Sequence, residues 1–368
     1  MKILHINSYF SAGFFYKHLY DHQIKQGIDI AVYVPTAKCF KERTVYPKYA
    51  DIDKCYTKVD RYLYFPKHKK IFNSLIKKHN IKEFDLTHAH SLLSNGLISY
   101  WIYKKYKIPY IVAVRNTDIN FFLKKIPLLR FLARKIVRNA EKVVFISPSY
   151  KEEAIEKYFG NVLNIINKAT VIPNGINHFW LNNINSHQTI PIMGQALKII
   201  TIGNINKNKN QLSVCKALDL LEKKGIDCAY TIIGETEDKT YFNEIKKYKF
   251  VRYINYQPKE KVLKELHNND IFIMPSFNET FGLVYAEAMS QGLPVIYTKG
   301  QGFDRQFDEG VVGYHVVPDS SEDIVNKIKL ILDNYEKISK NCLKKVDKFD
   351  WEKVAKDYSG LYDTVIRR

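Results

Sequence analysis

Short apolar runs alternate with longer amphipathic stretches along the whole chain. In the first half the runs fall at 2–7, 28–34, 86–89, 108–114 and 142–146. In the second they fall at 199–202, 229–233, 250–255, 271–274 and 295–297. Each is short enough for a buried strand. Between them, 15–25, 63–81, 121–140 and a segment capped by Ser147 or Ser149 read as helices. Further helices open near 211, 256 and 282 and at Ser320 or Ser321, and 350–368 closes the chain as an amphipathic helix. Residues 35–66, rich in Lys and Tyr, read as irregular, and 181–197 as a polar linker. Strand–helix alternation sustained through both halves predicts an α/β chain with two parallel-sheet domains. At 368 residues each domain has enough chain for its own core.

The segment 270–298 is the most informative. An apolar strand ends at Pro275 and Ser276, and Asn278, Glu279 and Thr280 form a polar loop. A helix runs from 282 to 291, Gly292 stands at its C-cap, and Pro294 precedes the next strand. Backbone N–H groups at Phe281, Gly282 and Leu283 would open the helix and suit a phosphate, which Gly282 lets approach closely. Glu279 and Glu287 flank this turn with seven residues between them. As a bare pair they read equally as a helix cap and a solvated face residue; beside a phosphate they suit the hydroxyls of a sugar nucleotide.

The surroundings of the pair carry a resemblance. With PS before it and GLPV at its end, NETFGLVYAEAMSQGLPVI resembles the E-x7-E segment of the retaining family 4 glycosyltransferases. That resemblance implies the GT-B fold: two Rossmann-like domains facing across a cleft, with a C-terminal helix crossing back to the first. The expected division is an acceptor-side domain at 1–180, a linker at 181–197, a donor domain at 198–345 and a returning helix at 346–368. The resemblance places Glu279 on the donor sugar and Glu287 on the ribose. VIPNGINHFW is similar to the family's PNG hinge, which sets Asn174 and Gly175 beside the donor phosphates. Gly13 matches the glycine loop facing phosphates and acceptor, and His90, in HAHSLLSNG, the strand-end histidine at the cleft. Gly203 and Lys209 match diphosphate contacts, but Asn204 stands where an arginine is usual. Arg115, followed by Asp118, stands where many members carry histidine. Because arginine stays charged, Arg115 is an electrostatic or sugar-hydroxyl contact and not a general base; an Arg115–Asp118 ion pair holding the loop is the alternative. Tyr256 is the expected contact to the base.

The implied reaction is retaining transfer of a sugar from a nucleotide sugar, UDP-linked as the family's commonest case, to a hydroxyl of a glycan, lipid-linked saccharide or cell-surface polymer. Glu279 would position the sugar. Lys209, Arg115 and backbone amides would stabilise the leaving diphosphate, so neither a metal nor a further cofactor is expected.

Charge changes the picture of the first half. The chain carries a net +19, with 30 Lys+Arg against 13 Asp+Glu in residues 1–180 and 27 against 25 in the remainder. This asymmetry suggests an anionic partner for one domain. In 121–140, Lys124, Lys125, Arg130, Arg134, Lys135 and Arg138 interleave with Leu128, Leu132 and Ile136 at helical spacing. That pattern suits docking on an anionic membrane and equally a core stripe with solvated charges. Five cysteines without CxxC spacing speak against a zinc or disulfide framework. No run reads as a signal peptide or membrane span, so the expected place is the cytoplasm, peripheral to the inner face of the membrane. The rival readings are a donor-binding protein without turnover and a basic nucleic-acid-binding protein. The second leaves the glutamate pair unexplained, and no nucleic acid is expected.

Overall fold

The computed structural model describes every residue except 14, 43, 161, 162, 185–194 and 368, so most of the expected linker lies outside the described residues. Two parallel sheets carry the chain. The first contains β1 (Lys2–Ile6), β2 (Asp29–Ala37), β3 (Ala50–Tyr56), β4 (Leu86–Ala89), β5 (Tyr110–Val114), β6 (Lys142–Phe145) and β7 (Ala169–Val171), in the order β3-β2-β1-β4-β5-β6-β7. The second contains β8 (Leu197–Ile202), β9 (Cys228–Ile233), β10 (Val251–Ile254), β11 (Ile271–Ile273), β12 (Val295–Thr298) and β13 (Gly313–Val316), in the order β10-β9-β8-β11-β12-β13. In each, the first strand sits inside the sheet and the order reverses beside it. That is the doubly wound pattern in which ligands gather at the carboxyl ends of the strands. The expected α/β architecture with two Rossmann-like sheets is what the chain forms.

Compact units follow the sheets. One comprises Met1–Ile146, Tyr150–Pro173 and Trp351–Arg368; the other comprises Ser147–Ser149 and Asn174–Asp350. The passage between them thus falls at Pro173 and Asn174, ahead of the expected 180. Within the second unit the Ile176 N–H donates to the Phe349 carbonyl at 2.8 Å, which ties the start of that segment to its end.

The stretch 35–66 is more regular than its sequence suggests, since it holds the end of β2 and all of β3. As an edge strand β3 pairs only with β2, and the inward position expected of an apolar residue is taken by Asp53. Asp53 is accepted into the interior because the Tyr33 hydroxyl donates to it at 2.5 Å and Lys78 pairs with it at 2.9 Å. A buried carboxylate compensated by partners far along the chain leaves no period-two apolar signal.

The last helix, Trp351–Ile366, belongs to the first unit. It buries Trp351, Val354, Tyr358 and Tyr362 in one cluster with Ile3, Leu19, Tyr20 and Ile28. Its Tyr362 also enters a buried polar network under the sheet's centre. The hydroxyl accepts from Gln23 Nε2 at 3.0 Å and lies 2.7 Å from His88 Nδ1. His5 Nδ1 and His90 Nε2 are 3.0 Å apart, with the Tyr20 hydroxyl 3.3 Å from the same His90 nitrogen. All three histidines are fully buried. Burial holds them neutral: it pushes His5 down to about 3, and burial with neighbouring imidazole and Arg115 charge lowers His88 and His90 well below the usual value.

The sign of the resulting pH dependence follows from linkage. The unfolded chain takes up protons below about pH 6.5 while the native state does not, so stability is full above that pH and falls as pH drops toward the native values. Each histidine contributes a slope of up to about 1.4 kcal/mol per pH unit. Carboxyls raised by burial, Asp118, Asp270 and Glu287 among them, oppose this, and His68, lowered to about 4 by burial, adds to it. The urea midpoint is expected to fall steadily between pH 7 and pH 5.5; a midpoint that stays level across that interval would exclude the neutral buried network.

Candidate active site

In the second unit the site grows from the end of β11. Ile271 to Met274 are fully buried, and Pro275 ends the strand. The next helix, Leu283–Met289, is shorter than its sequence pattern because Ser290 and Gln291 turn onto Gly292. Gly282 precedes it at φ +74°, where a Cβ would lie 2.3 Å from the Tyr285 ring. That ring earns its place by anchoring the helix, its hydroxyl donating to the Met274 carbonyl at 2.5 Å.

Glu279 is held from several sides. Its carboxylate pairs with Lys209 at 2.6 Å, with both side chains largely shielded, and accepts from the Thr280 N–H at 3.0 Å. Its own N–H donates to Gln301 Oε1 at 2.9 Å, and its carbonyl accepts from the Gly302 N–H at 3.1 Å. The glycine-rich loop after β12 therefore lies directly against the Glu279 loop, and a Cβ on Gly302 would fall 2.0 Å from the Thr280 carbonyl oxygen. The loop after β8 closes the other side. Asn208 accepts from the Phe277 N–H through its carbonyl at 2.8 Å and from the Asn278 N–H through its side chain at 3.0 Å. Lys209 arches over Gly203, its Cε 3.5 Å from where a Cβ would stand. Asn208 and Gln301 escaped the sequence reading because an amide that bonds backbone forms no motif.

Glu287 is the more perturbed carboxylate. Burial pushes it up to about 7, against an opposing hydrogen bond from the Trp180 side chain. Near neutral pH it is thus divided between a proton donor and a carboxylate acceptor, either of which suits hydroxyl partners. Asn204, at the usual arginine position, donates to Glu237 at 2.5 Å alongside Asn206 at 2.6 Å. These bonds, with a smaller effect of Lys209, hold the Glu237 carboxyl below its usual range, so a carboxylate stands beside Asn204.

Among the other expected residues, Thr280 is exposed and Leu283 half-buried. The Phe281 ring is 2% exposed and packs on Phe303 and Phe349, so only its backbone is available to a ligand. Asn174 is half-buried and Gly175 buried, just ahead of Asn177, which caps the short helix His178–Asn182. Tyr256 is 69% exposed beyond β10.

The first unit holds the rest. Asp118 is almost fully buried, and its oxygens accept from the N–H groups of Leu92, Leu93 and Arg115 at 2.9, 3.0 and 2.9 Å. It clamps two loops together through backbone. No Arg115–Asp118 ion pair forms: the guanidinium donates to the His90 carbonyl at 3.2 Å, lies over the Tyr16 ring, and leaves Nη1 without a partner. The ion-pair alternative for this loop is thereby removed. His90 is fully buried in the network already described, whereas Gly13 is exposed and lines a cavity.

The basic stretch 121–140 also differs from its pattern. A wide-turned helical segment, Thr117–Leu123, precedes the helix Leu128–Asn139. Its core face is Ala133, Ile136 and Val137, so Leu128 is 88% and Phe131 75% exposed. Arg130 and Arg134 are spent on the Leu123 and Tyr158 carbonyls. Lys124, Lys125, Lys135 and Arg138 remain exposed. Among the described residues no helix is long and apolar enough to cross a membrane.

Comparison with known proteins agrees with this geometry. The family description Glycosyltransferase Family 4 matches residues 12–178, and Glycosyl transferases group 1 matches 182–348, so the two account for nearly all of the chain. The chain belongs to the family 4 glycosyltransferases. The glycosyltransferase is 24% identical to the alpha-monoglucosyldiacylglycerol synthase of Acholeplasma laidlawii, over 78% of this chain and 77% of the relative. It is 30% identical to a probable sucrose-phosphate synthase of Thermosipho melanesiensis, over 61% and 56%. Its fold matches the sucrose-phosphate synthase structure from Thermosynechococcus elongatus with a TM-score of 0.74 at 15% identity, covering 100% and 99% of the two chains. It matches the lipopolysaccharide outer core galactosyltransferase WaaB at 0.73 and 17%, covering 96% and 98%.

The contact at Gly302 gives a direct test of the site's framework. Because the clashing atom is backbone, Gly302→Ala must displace one loop, at a cost of about 1–3 kcal/mol. Chemical denaturation of this variant is expected to show that loss; a change below about 0.5 kcal/mol, the range of an ordinary surface substitution, would contradict the loop packing.

Proposed function

We propose that this glycosyltransferase moves a sugar from a nucleotide sugar, UDP-linked, to an acceptor hydroxyl with retention of anomeric configuration. The observation that carries the reading is the shielded Lys209–Glu279 pair at the ends of adjacent strands β8 and β11. A bound donor divides that pair between its own charges: the diphosphate takes Lys209, and a sugar hydroxyl takes a Glu279 oxygen. Glu287 then accepts from the ribose. Supporting context comes from a structural relative, Anabaena HepE, solved in complex with UDP and glucose, whose fold matches with a TM-score of 0.67 at 15% identity over 99% of both chains.

In the proposed chemistry the bond between the anomeric carbon and the diphosphate oxygen breaks, and the acceptor oxygen bonds that carbon from the same face. The acceptor proton passes to the departing phosphate oxygen. Glu279 acts as a positioning group: once the diphosphate takes Lys209, its carboxylate keeps the Thr280 N–H and accepts from the sugar hydroxyl. The developing diphosphate charge falls on Lys209 and backbone N–H groups, and the scheme requires neither a metal nor a cofactor. Glu279→Ala is expected to lower kcat/KM by about 100-fold, the scale for removing a positioned hydrogen-bonding group. Turnover is expected to be unchanged by EDTA, and the product to keep the donor's anomeric configuration by NMR. Full activity of the variant, chelator sensitivity or an inverted product would each break a named part of the scheme.

The exposed face of Leu128–Asn139 supports a peripheral position on an anionic membrane at the cytoplasmic side, with a lipid-linked or surface glycan as acceptor. Leu128, Phe131, Lys135 and Arg138 share one face of this helix and all are exposed. Apolar side chains flanked by cations suit the boundary between headgroups and acyl chains. Flotation with phosphatidylglycerol vesicles is expected to carry the protein, with phosphatidylcholine vesicles as the neutral control. The variant carrying Leu128→Ser and Phe131→Ser is expected to bind at least about tenfold more weakly, given the value of two buried apolar side chains. Equal binding of both proteins would remove the helix from the interface.

A further inference from the structure

The loops following β1, β2 and β3 border a half-open cavity of about 640 Å³ within the first unit. It is lined by Ser11, Gly13, Phe40, Lys41, Tyr46 and Arg61, among others. It lies at the carboxyl ends of neighbouring strands, on the β2–β3 side of the switch point between β1 and β4. Its volume suits a mono- or disaccharide. The Phe40 and Tyr46 rings offer apolar surface of the kind that pairs with a sugar face. The Tyr46 hydroxyl donates to the Ser11 carbonyl at 3.2 Å, which fixes the ring at the cavity wall.

The charge of the cavity is one-sided. No carboxylate is among its lining residues, and neither Lys41 nor Arg61 forms an ion pair among the described residues. The acids adjacent to them in sequence are committed elsewhere. Glu42, next to Lys41, pairs with Lys54 at 2.9 Å, and Asp60, next to Arg61, pairs with Lys70 at 2.8 Å. Asp60 further accepts from the Thr57 N–H and hydroxyl at 2.7 and 2.8 Å, so it cannot turn toward Arg61 without losing them. Arg61 has a further cationic neighbour, Lys67, which lies over the Tyr56 ring at 5.0 Å. Burial and then the Arg61 charge lower the Lys67 ammonium below its ordinary range, against a smaller opposing effect of Cys55, so the two cations repel. An anion relieves that repulsion. Arg61 supplies a forked donor for a carboxylate or phosphate, and Lys41 a mobile point charge.

We infer that the acceptor held by the first unit is an anionic saccharide, one bearing a phosphate or carboxylate group, with Lys41 and Arg61 receiving the charge. This rests on the proposed glycosyl transfer for the word acceptor, but the binding itself does not. The cavity also gives part of the first unit's positive excess a local purpose: Lys54 of β3 and Lys70 of the helix Tyr64–Lys78 neutralise Glu42 and Asp60 and so leave two lining cations for the ligand.

The test is equilibrium binding to the intact protein by calorimetry, with glucose 6-phosphate, glucuronate and inorganic phosphate as anionic probes and glucose as the neutral one. UDP is kept in excess to occupy phosphate contacts in the second unit. At least one anionic saccharide is expected to bind tenfold or more tightly than glucose. That preference is expected to disappear, with at least a tenfold loss of affinity, in the double variant Lys41→Ala and Arg61→Ala. Both residues are exposed, and an unchanged thermal melt verifies that the variant is folded. Preference for glucose 6-phosphate over glucuronate identifies the group as phosphate, and the reverse order as carboxylate; either supports the inference. Anionic probes that bind no better than glucose would overturn it, as would an affinity that survives the double substitution. Failure of the donor reading is separable: a protein that holds the anionic sugar through Lys41 and Arg61 yet neither binds nor turns over a nucleotide sugar retains this site and loses the proposed reaction.

Discussion

Parallel strand pairing is the constraint on which the rest depends. Parallel neighbours require a crossover after each strand, so every strand delivers its following loop to the same end of its sheet. In the second unit this brings Lys209 after β8, Glu279 after β11 and Gln301 after β12 into one bonded group, although they are up to 92 positions apart in sequence. In the first unit the same rule collects the loops after β1, β2 and β3 around one cavity, and His90 and Arg115 after β4 and β5. The chemistry of each unit is thus a property of one sheet end, and the helices serve to return the chain.

Holding such loops at bonding distance takes small residues and buried polar groups. Gly302 brings two backbones together where a methyl group would not fit, and Gly282 does so against the Tyr285 ring. In the first unit Asp118 fastens two loops by accepting three backbone N–H groups, at the cost of burying a carboxyl group whose pKa is raised. The neutral histidines His5, His88 and His90 fill the space beneath the strand ends with polar rings that share hydrogen bonds with Tyr20 and Tyr362. Tyr362 belongs to the final helix, so the end of the chain completes the support of segments near its start. Arg115 gains its surroundings from the same construction: enclosed beside Tyr16, it keeps one guanidinium nitrogen without a partner.

Charge is distributed with similar economy. Lysines around the first-unit cavity neutralise Glu42 and Asp60 and leave Lys41 and Arg61 without an acid partner among the described residues. On the helix Leu128–Asn139 the arginines Arg130 and Arg134 cap carbonyls, while Lys135 and Arg138 share a face with exposed Leu128 and Phe131. In the second unit the position where an arginine is usual holds Asn204, which is bonded to Glu237.

The sequence by itself determined the α/β class, the two-sheet organisation and the family, because apolar runs at strand length and the Glu279–Glu287 segment are local patterns that survive without context. It did not show β3, whose inward position is an aspartate made tolerable by Tyr33 and Lys78, nor which face of 128–139 is buried, since the core selects Ala133 over the larger Leu128. Only the tertiary structure decided that Glu279 meets Lys209, that Asp118 binds backbone in preference to Arg115, and that Lys41 and Arg61 share a cavity. The reason is physical: propensity and hydrophobic period are written in neighbouring residues, whereas the partner of a charge is set by strand order, which brings distant loops to one end of a sheet.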